Sequence, residues 1–332
     1  MIRKISIPGS DDDYLGFSSY LKELPQKEAY EFDFGTVGFA TPAWMIVVGN
    51  ALRQFRDERP EAQRTATNYK HLGYAAHSGF FQFFGLGFGH APAAVKSTDR
   101  FIPITKMKTD DIRNQAFDEK RHHGDVIQTA SEELAEVLLQ TKAGDAFDTL
   151  TYSLREITRN VIEHSGSEDY AYAAQYWPGS ARAEIIISDR GMGIAKSLSS
   201  NPKHSTIDDL EAIRLAVQPG VSSKTWRNQR SGDAWANSGY GLYMVRGLCA
   251  HGGSFSLLSG SKATTWKDDK VEIADTHDLG TTVIMRLNGS ASGTLSDRLA
   301  DLRKKATKFH NAAAPTEPST ASMSSKVQPT TE

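Results

Sequence analysis

Ile185-Ile-Ile-Ser-Asp189-Arg-Gly-Met-Gly193 is the stretch on which the fold turns. Its isoleucines predict a short buried strand that ends in Ser188-Asp189, with Gly191 and Gly193 following at once. A carboxylate at a strand end is well placed to accept a hydrogen bond from an exocyclic amine. Adenine carries such an amine where guanine does not. Glycines beside the carboxylate let backbone approach a flat base. A plain β-turn accounts for Asp-x-Gly equally well.

Upstream, Phe147 to His164 predicts a helix whose apolar stripe is Leu150, Leu154, Ile157 and Val161. Glu156, Asn160 and His164 recur at i, i+4 and i+8, so they share another face. The amide oxygen of Asn160 can join an octahedral Mg²⁺ shell, which favours oxygen ligands and takes few from protein. Glu156, one turn earlier, can hold or deprotonate a water for attack on a γ-phosphate. An ordinary solvated helix face is the plainer account of this helix by itself.

Downstream, Ser238-Gly-Tyr-Gly-Leu242 opens a helix expected over Leu242 to Ala250. Backbone N–H groups at a helix start, freed by glycines, bind phosphate. The segment from Ile194 to Asn237 is rich in Ser, Lys, Arg, Gly and Asn, and it offers Ser222, Ser223, Lys224, Arg227 and Arg230 to phosphates. It reads as a lid or as a flexible insertion. Last, Gly280-Thr-Thr282 leads into an apolar strand ending at Leu287, where a hydroxyl could support Asp189 or a bound water.

Taken together and in this order, Glu156 to Asn160, Asp189 to Gly193, Gly239 to Leu242 and Gly280 to Thr282 resemble the N box, the two glycine boxes and the terminal Gly-Thr of the GHKL ATPases. The resemblance covers about Asp125 to Leu287, half the chain. It implies a Bergerat-type α/β sandwich, a mixed sheet covered by helices, that binds ATP with Mg²⁺. It also implies roles. Asn160 would hold Mg²⁺ and Asp189 adenine; Gly191 and Gly193 would wall the pocket, and Gly239 and Gly241 would meet the phosphates. Ile194, Tyr240 and Leu242 complete the glycine boxes. Thr281 or Thr282 takes the threonine role, and the sequence leaves both open.

The spacing Glu156, Asn160, His164 is similar to that of anti-sigma-factor kinases more than of sensor histidine kinases. The expected function is therefore an ATP-binding regulatory protein, a Mg-ATP-dependent serine/threonine kinase acting on a regulatory partner. An ATP-hydrolysing switch with Glu156 as its base, and a non-catalytic ATP-dependent interaction module, are the alternatives. A homodimer is left open.

The first third reads as a smaller α/β unit. Tyr30, Phe32 and Phe34 alternate with Glu31 and Asp33, as in a half-buried strand. Pro42 suits a first helical turn, and Met45, Val48, Leu52 and Phe55 recur at helical spacing. Further strands are expected near Ala66 to Tyr69 and Phe101 to Thr105. This unit faintly resembles a STAS domain, although Pro42 and Ala43 stand where a phosphorylatable serine is expected, with Thr41 nearby. Gly85 to Gly89 reads as a turn after the aromatic run Phe80 to Phe84.

The predicted organisation is a STAS-like domain over 1–108, a polar linker over 109–124, a GHKL domain over 125–290, a helix over 291–310 and a disordered tail over 311–332. The overall class is α+β. His122-His123 in the linker reads as a solvated pair. Hydrophobic residues make up 39% and charged residues 23%, with a net charge of −2, so bulk attraction to nucleic acid is not expected. Cys249 is the single cysteine, which excludes an intramolecular disulfide; its place on an apolar helical face predicts burial. No apolar run is long enough to span a bilayer and the start does not read as a signal peptide, so a cytoplasmic protein without membrane contact is expected. Neither a Walker-type loop nor a Gly-x-Ser-x-Gly elbow is present.

Overall fold

The computed structural model describes residues 2–10, 13–26, 28–111, 123–205, 207–221, 240–249 and 252–288, with 297, 301, 302, 304 and 305. Its first unit holds β1 (Ile2–Ser6), α1 (Phe17–Lys22), β2 (Ala29–Asp33), α2 (Pro42–Glu58) and β3 (Gln63–Thr67). The three strands pair in parallel in the order β1-β2-β3. Alternation in β2 buries Tyr30 and Phe32, as the pattern predicts, and Phe34 just beyond it is also buried. Helix α2 starts with Pro42 in its first turn, and the Thr41 hydroxyl caps it by accepting from the Trp44 N–H at 3.3 Å. Two one-turn helices follow, α3 (Gly73–His77) and α4 (Phe80–Phe84). Gly85 closes α4 at φ +102°, so the glycine run after the aromatics is a turn.

The second unit runs β4 (Phe101–Lys108), α5 (His123–Leu139), α6 (Asp145–His164), β5 (Asp169–Trp177), β6 (Arg182–Asp189), α7 (Gly193–Leu198), α8 (Asp209–Ala216), α9 (Gly241–Cys249), β7 (Gly253–Lys267) and β8 (Lys270–Asn288). Its five strands lie in the order β4-β5-β6-β8-β7. The molecule thus mixes α and β structure. Strands β5 and β6 form a hairpin that turns at Pro178-Gly179, with Trp177 opposite Arg182.

Three expectations need correction. The sheet is not mixed: all four neighbouring pairs are antiparallel. The reason is strand order. The helical crossover from β6 to β7 leaves those two strands running the same way, but β8 inserts between them and opposes both. Next, the strand near Phe101 belongs to this second sheet, not to the first unit, because β4 pairs with β5. Ile102 is buried in one hydrophobic core and Ile104 in the other, so both faces of this strand are covered and its hydropathy favours neither unit. Last, Gly280-Thr-Thr282 does not open a strand; it lies inside the 19-residue β8. The arm of β7 and β8 beyond Ser259 buries Ala263 and Trp266 but exposes Val271 and Ile273, and cross-strand pairing runs along it.

The two cores lie on opposite faces of the five-stranded sheet. On one face Ile185, Ile187, Val283 and Met285 meet the stripe Leu150, Leu154, Ile157 and Val161 of α6, with Leu134 and Leu138 of α5 and the fully buried Cys249. On the other face Ile186, Ile284, Ala171 and Ala173 meet Trp44, Val48 and Ala51 of α2. The first unit therefore covers the sheet instead of hanging from a linker. Burying a side chain of this size contributes roughly 1.5–3 kcal/mol, so the two units share a large part of their stability. Glu184 of β6 ties the faces further: its carboxylate accepts from the Ala43 N–H at 2.8 Å and from Arg286 at 2.6 Å. Arg286 in turn donates to the Tyr14 hydroxyl at 2.6 Å.

Among the described residues no helix is long and apolar enough to cross a membrane. Of the predicted linker over 109–124, residues 112–122, His122 among them, lie outside the described residues, as does the tail over 311–332; of the predicted helix over 291–310, residues 297, 301, 302, 304 and 305 are described and are helical.

Candidate functional site

A cavity opens between α6, the end of β6 and the middle of β8, closed on its far side by α7, α8 and the start of α9. Seven sequence-predicted residues line it: Glu156, Asn160, Asp189, Gly193, Ile194, Leu242 and Thr281. They come from five separate elements. Apolar walls are added by Ile157, Val161, Ile187, Leu198, Val221 and Val283.

The sheet register explains the selection. Ile187 pairs with Val283 and Ser188 with Thr282 across β6 and β8. Side chains alternate along a strand, so Ile187, Asp189, Thr281 and Val283 face the cavity while Ser188 and Thr282 face α2. The choice the sequence leaves open is thereby made: Thr281 is on the cavity wall and Thr282 is behind it. Thr282 is buried, donating to Asp278 at 2.8 Å and meeting the Ser188 hydroxyl at 2.7 Å.

Asp189 is 1% exposed. Its Oδ1 accepts from the Gly191 N–H at 2.7 Å, and the Thr281 N–H also donates to the carboxyl. Burial pushes its pKa up to about 7; the nearby Asp278 carboxylate pushes the same way, against the two N–H groups. Burial raises the Asp278 carboxyl as well. A carboxyl raised toward neutrality on a cavity wall makes Asp189 a candidate functional position.

The glycines are close-approach positions. A Cβ on Gly280 would overlap the Asp189 carbonyl, and one on Gly191 would overlap the Ser165 carbonyl. Gly193 sits at φ +75° and begins α7, where the Ile194 N–H donates to the Ser259 hydroxyl at 2.8 Å. The Ser259 hydroxyl in turn donates to the Gly280 carbonyl at 3.1 Å, which joins the glycine loop to β8. Gly241 starts α9 directly against α6; a Cβ there would lie 3.2 Å from Glu156 Oε2. Glu156 is buried on this helix contact, and together with burial its charge raises the pKa of the Tyr240 phenol.

Gly191, Tyr240, Gly241 and Thr282 thus support the cavity from behind or beside rather than line it. Gly239, and with it Ser222, Ser223, Lys224, Arg227, Arg230 and Ser238, lies outside the described residues, as does the side chain of His164. Sequence reasoning missed Ser259, Ser165, Asp278 and the walls Ile187 and Val283. The two walls had a signal: each stands two residues from a predicted site residue on the same strand face. Ser259 and Asp278 had none, because only the irregular β7–β8 pairing near Gly260 brings them to the loop.

A metal at this site would rely on few protein ligands. Among the described residues no group of three or more His, Cys, Asp or Glu could hold one. Asn160 and Glu156 offer oxygen donors one helical turn apart on the cavity wall, which fits Mg²⁺ carried in on phosphate.

No family model matches the chain, and no curated protein matches it. The functional reading therefore rests on the residues and their geometry.

Proposed function

We propose that this chain is an ATP-binding regulatory protein of the GHKL type, a Mg-ATP-dependent protein serine/threonine kinase that acts in the cytoplasm on a regulatory protein partner. One observation carries the reading: Asp189, Thr281, Gly193, Asn160 and Glu156, far apart in the chain, line a single cavity. In this reading Asp189 accepts from the exocyclic amine of adenine, and Ile187, Ile194 and Val283 sandwich the base. The N-terminus of α9 faces the phosphates. Asn160 holds Mg²⁺, which neutralises charge on the phosphates when bound. Glu156 takes the proton from the attacking hydroxyl. The hydroxyl oxygen forms its bond to the γ-phosphorus as the bond to the β–γ bridging oxygen breaks, and ADP leaves with that electron pair.

A second reading is an ATP-hydrolysing switch, with water in place of the hydroxyl. It is favoured by the burial of α2 against the sheet, which makes the first unit part of the ATPase body rather than a detachable substrate. The first test is incubation of purified protein with Mg²⁺ and γ-labelled ATP beside Asp189→Asn. Label in a protein supports the kinase, and label released as phosphate supports the switch. Label left in ATP that is nonetheless bound supports a non-catalytic module. No adenine nucleotide binding at all refutes all three.

A further inference from the structure

The residues on either side of Asp189 are both held by the first unit. On one side Asn50 Nδ2 donates to the Ser188 hydroxyl at 2.9 Å. On the other, Arg190 donates to Asp57 Oδ2 at 2.9 Å. Between these contacts Arg53 pairs with Asp169 of β5 through both carboxylate oxygens, at 3.1 and 3.3 Å. Asn50, Arg53 and Asp57 stand at i, i+3 and i+7 of α2, so they form one polar stripe on a helix whose other residues from Pro42 to Phe55 are buried and mostly apolar.

The stripe continues into the sheet with a fixed polarity. Thr282 donates its only hydroxyl proton to Asp278, so the proton between Ser188 and Thr282 must come from Ser188. Ser188 can then only accept from Asn50. The chain of donation runs from the Asn50 amide through Ser188 and Thr282 to the Asp278 carboxylate. Asp278 also accepts from the Gly280 N–H at 3.0 Å, and Gly280 is the residue pressed against the Asp189 carbonyl.

We propose that Asn50 and Asp57 of the first unit are positioning residues for the nucleotide pocket, clamping Asp189 from behind so that docking of α2 and occupancy of the cavity are coupled. This rests on the ATP reading above and adds its regulation. The N-terminal unit is then the sensor: whatever shifts α2 on the sheet moves Ser188 and Arg190, and with them the carboxyl between. Coupling is reciprocal, so nucleotide also tightens α2 on the sheet.

The polarity makes the test sharp. Asn50→Asp is isosteric but cannot donate to Ser188, whereas Asn50→Gln keeps a donating amide. Amide hydrogen exchange is measured at Gly191 and Thr281, the two N–H donors to Asp189, in protein without nucleotide. Affinity for ADP is measured in parallel. The expected result is faster exchange at those two positions in Asn50→Asp, unchanged protection in the β5–β6 ladder, about fivefold to tenfold weaker ADP, and recovery in Asn50→Gln. Asp57→Asn, a substitution at a half-exposed carboxylate that leaves the cores untouched, should give the same selective pattern. Unchanged exchange at Gly191 and Thr281 in both Asn50→Asp and Asp57→Asn overturns the clamp whether or not ADP binds. Selective exchange changes in a protein that binds no adenine nucleotide overturn the ATP reading instead.

Discussion

Acidification from pH 8 to pH 6 should weaken adenosine binding, and the structure sets how much. Asp189 titrates near pH 7 because burial and the Asp278 carboxylate outweigh the N–H groups of Gly191 and Thr281. Its charged form is the better acceptor for the adenine amine. About ten-elevenths of it is ionised at pH 8 and about one-eleventh at pH 6, so the affinity falls about tenfold across that interval. Adenosine is the probe of choice, since it carries no phosphate that titrates in the same range. Calorimetry at three pH values, beside Asp189→Asn, isolates the group. The variant should bind weakly at every pH and lose the slope. Equal adenosine affinity at pH 6 and pH 8 in the unaltered chain would refute the assignment of Asp189 to the base. The same group sets a stability trend. Its folded pKa is raised above the unfolded value of 3.8, so the folded chain holds the extra proton. Its contribution is therefore fully present below pH 4 and is lost as pH rises to 7, in total about 4 kcal/mol.

Glu156→Ala should leave ADP binding within about threefold while phosphoryl transfer or phosphate release drops by about 10²–10⁴, measured with γ-labelled ATP; undiminished turnover would remove Glu156 from the chemistry. Gly280→Ala forces a methyl into the Asp189 carbonyl, so it should cost about 2 kcal/mol or more in urea denaturation and abolish adenosine binding. A variant of normal stability and affinity would mean that β8 does not press on the loop. Glu184→Ala strands Arg286 and removes the acceptor at the start of α2, so a loss of about 3 kcal/mol is expected from the urea midpoint. A change under 1 kcal/mol would show that Glu184 does not help to hold the first unit on the sheet.

Local order was legible in the residues. The stripe Leu150, Leu154, Ile157, Val161 predicts α6 because a helix repeats every 3.6 residues, and Tyr30 and Phe32 mark β2 because a strand repeats every two. Asp189 and the glycines beside it could be singled out because a strand end, a carboxylate and glycine are each visible in a short window. The serines were not legible. Ser188, Ser259 and Ser165 look like any surface serine, and they matter only because distant chain arrives beside them, at Ser165 against its carbonyl.

The sequence by itself determined the main helices and strands, the order of the four site segments and the burial of Cys249. The tertiary structure alone decided that Thr281 rather than Thr282 faces the cavity, that β4 joins the second sheet, and that α2 lies behind Asp189. Each of these depends on strand register, strand order or packing between residues more than 60 positions apart. Periodicity is a property of neighbours in the chain. A one-residue slip in β8 would exchange Thr281 for Thr282 without changing a single local preference, so only the packed sheet selects between them.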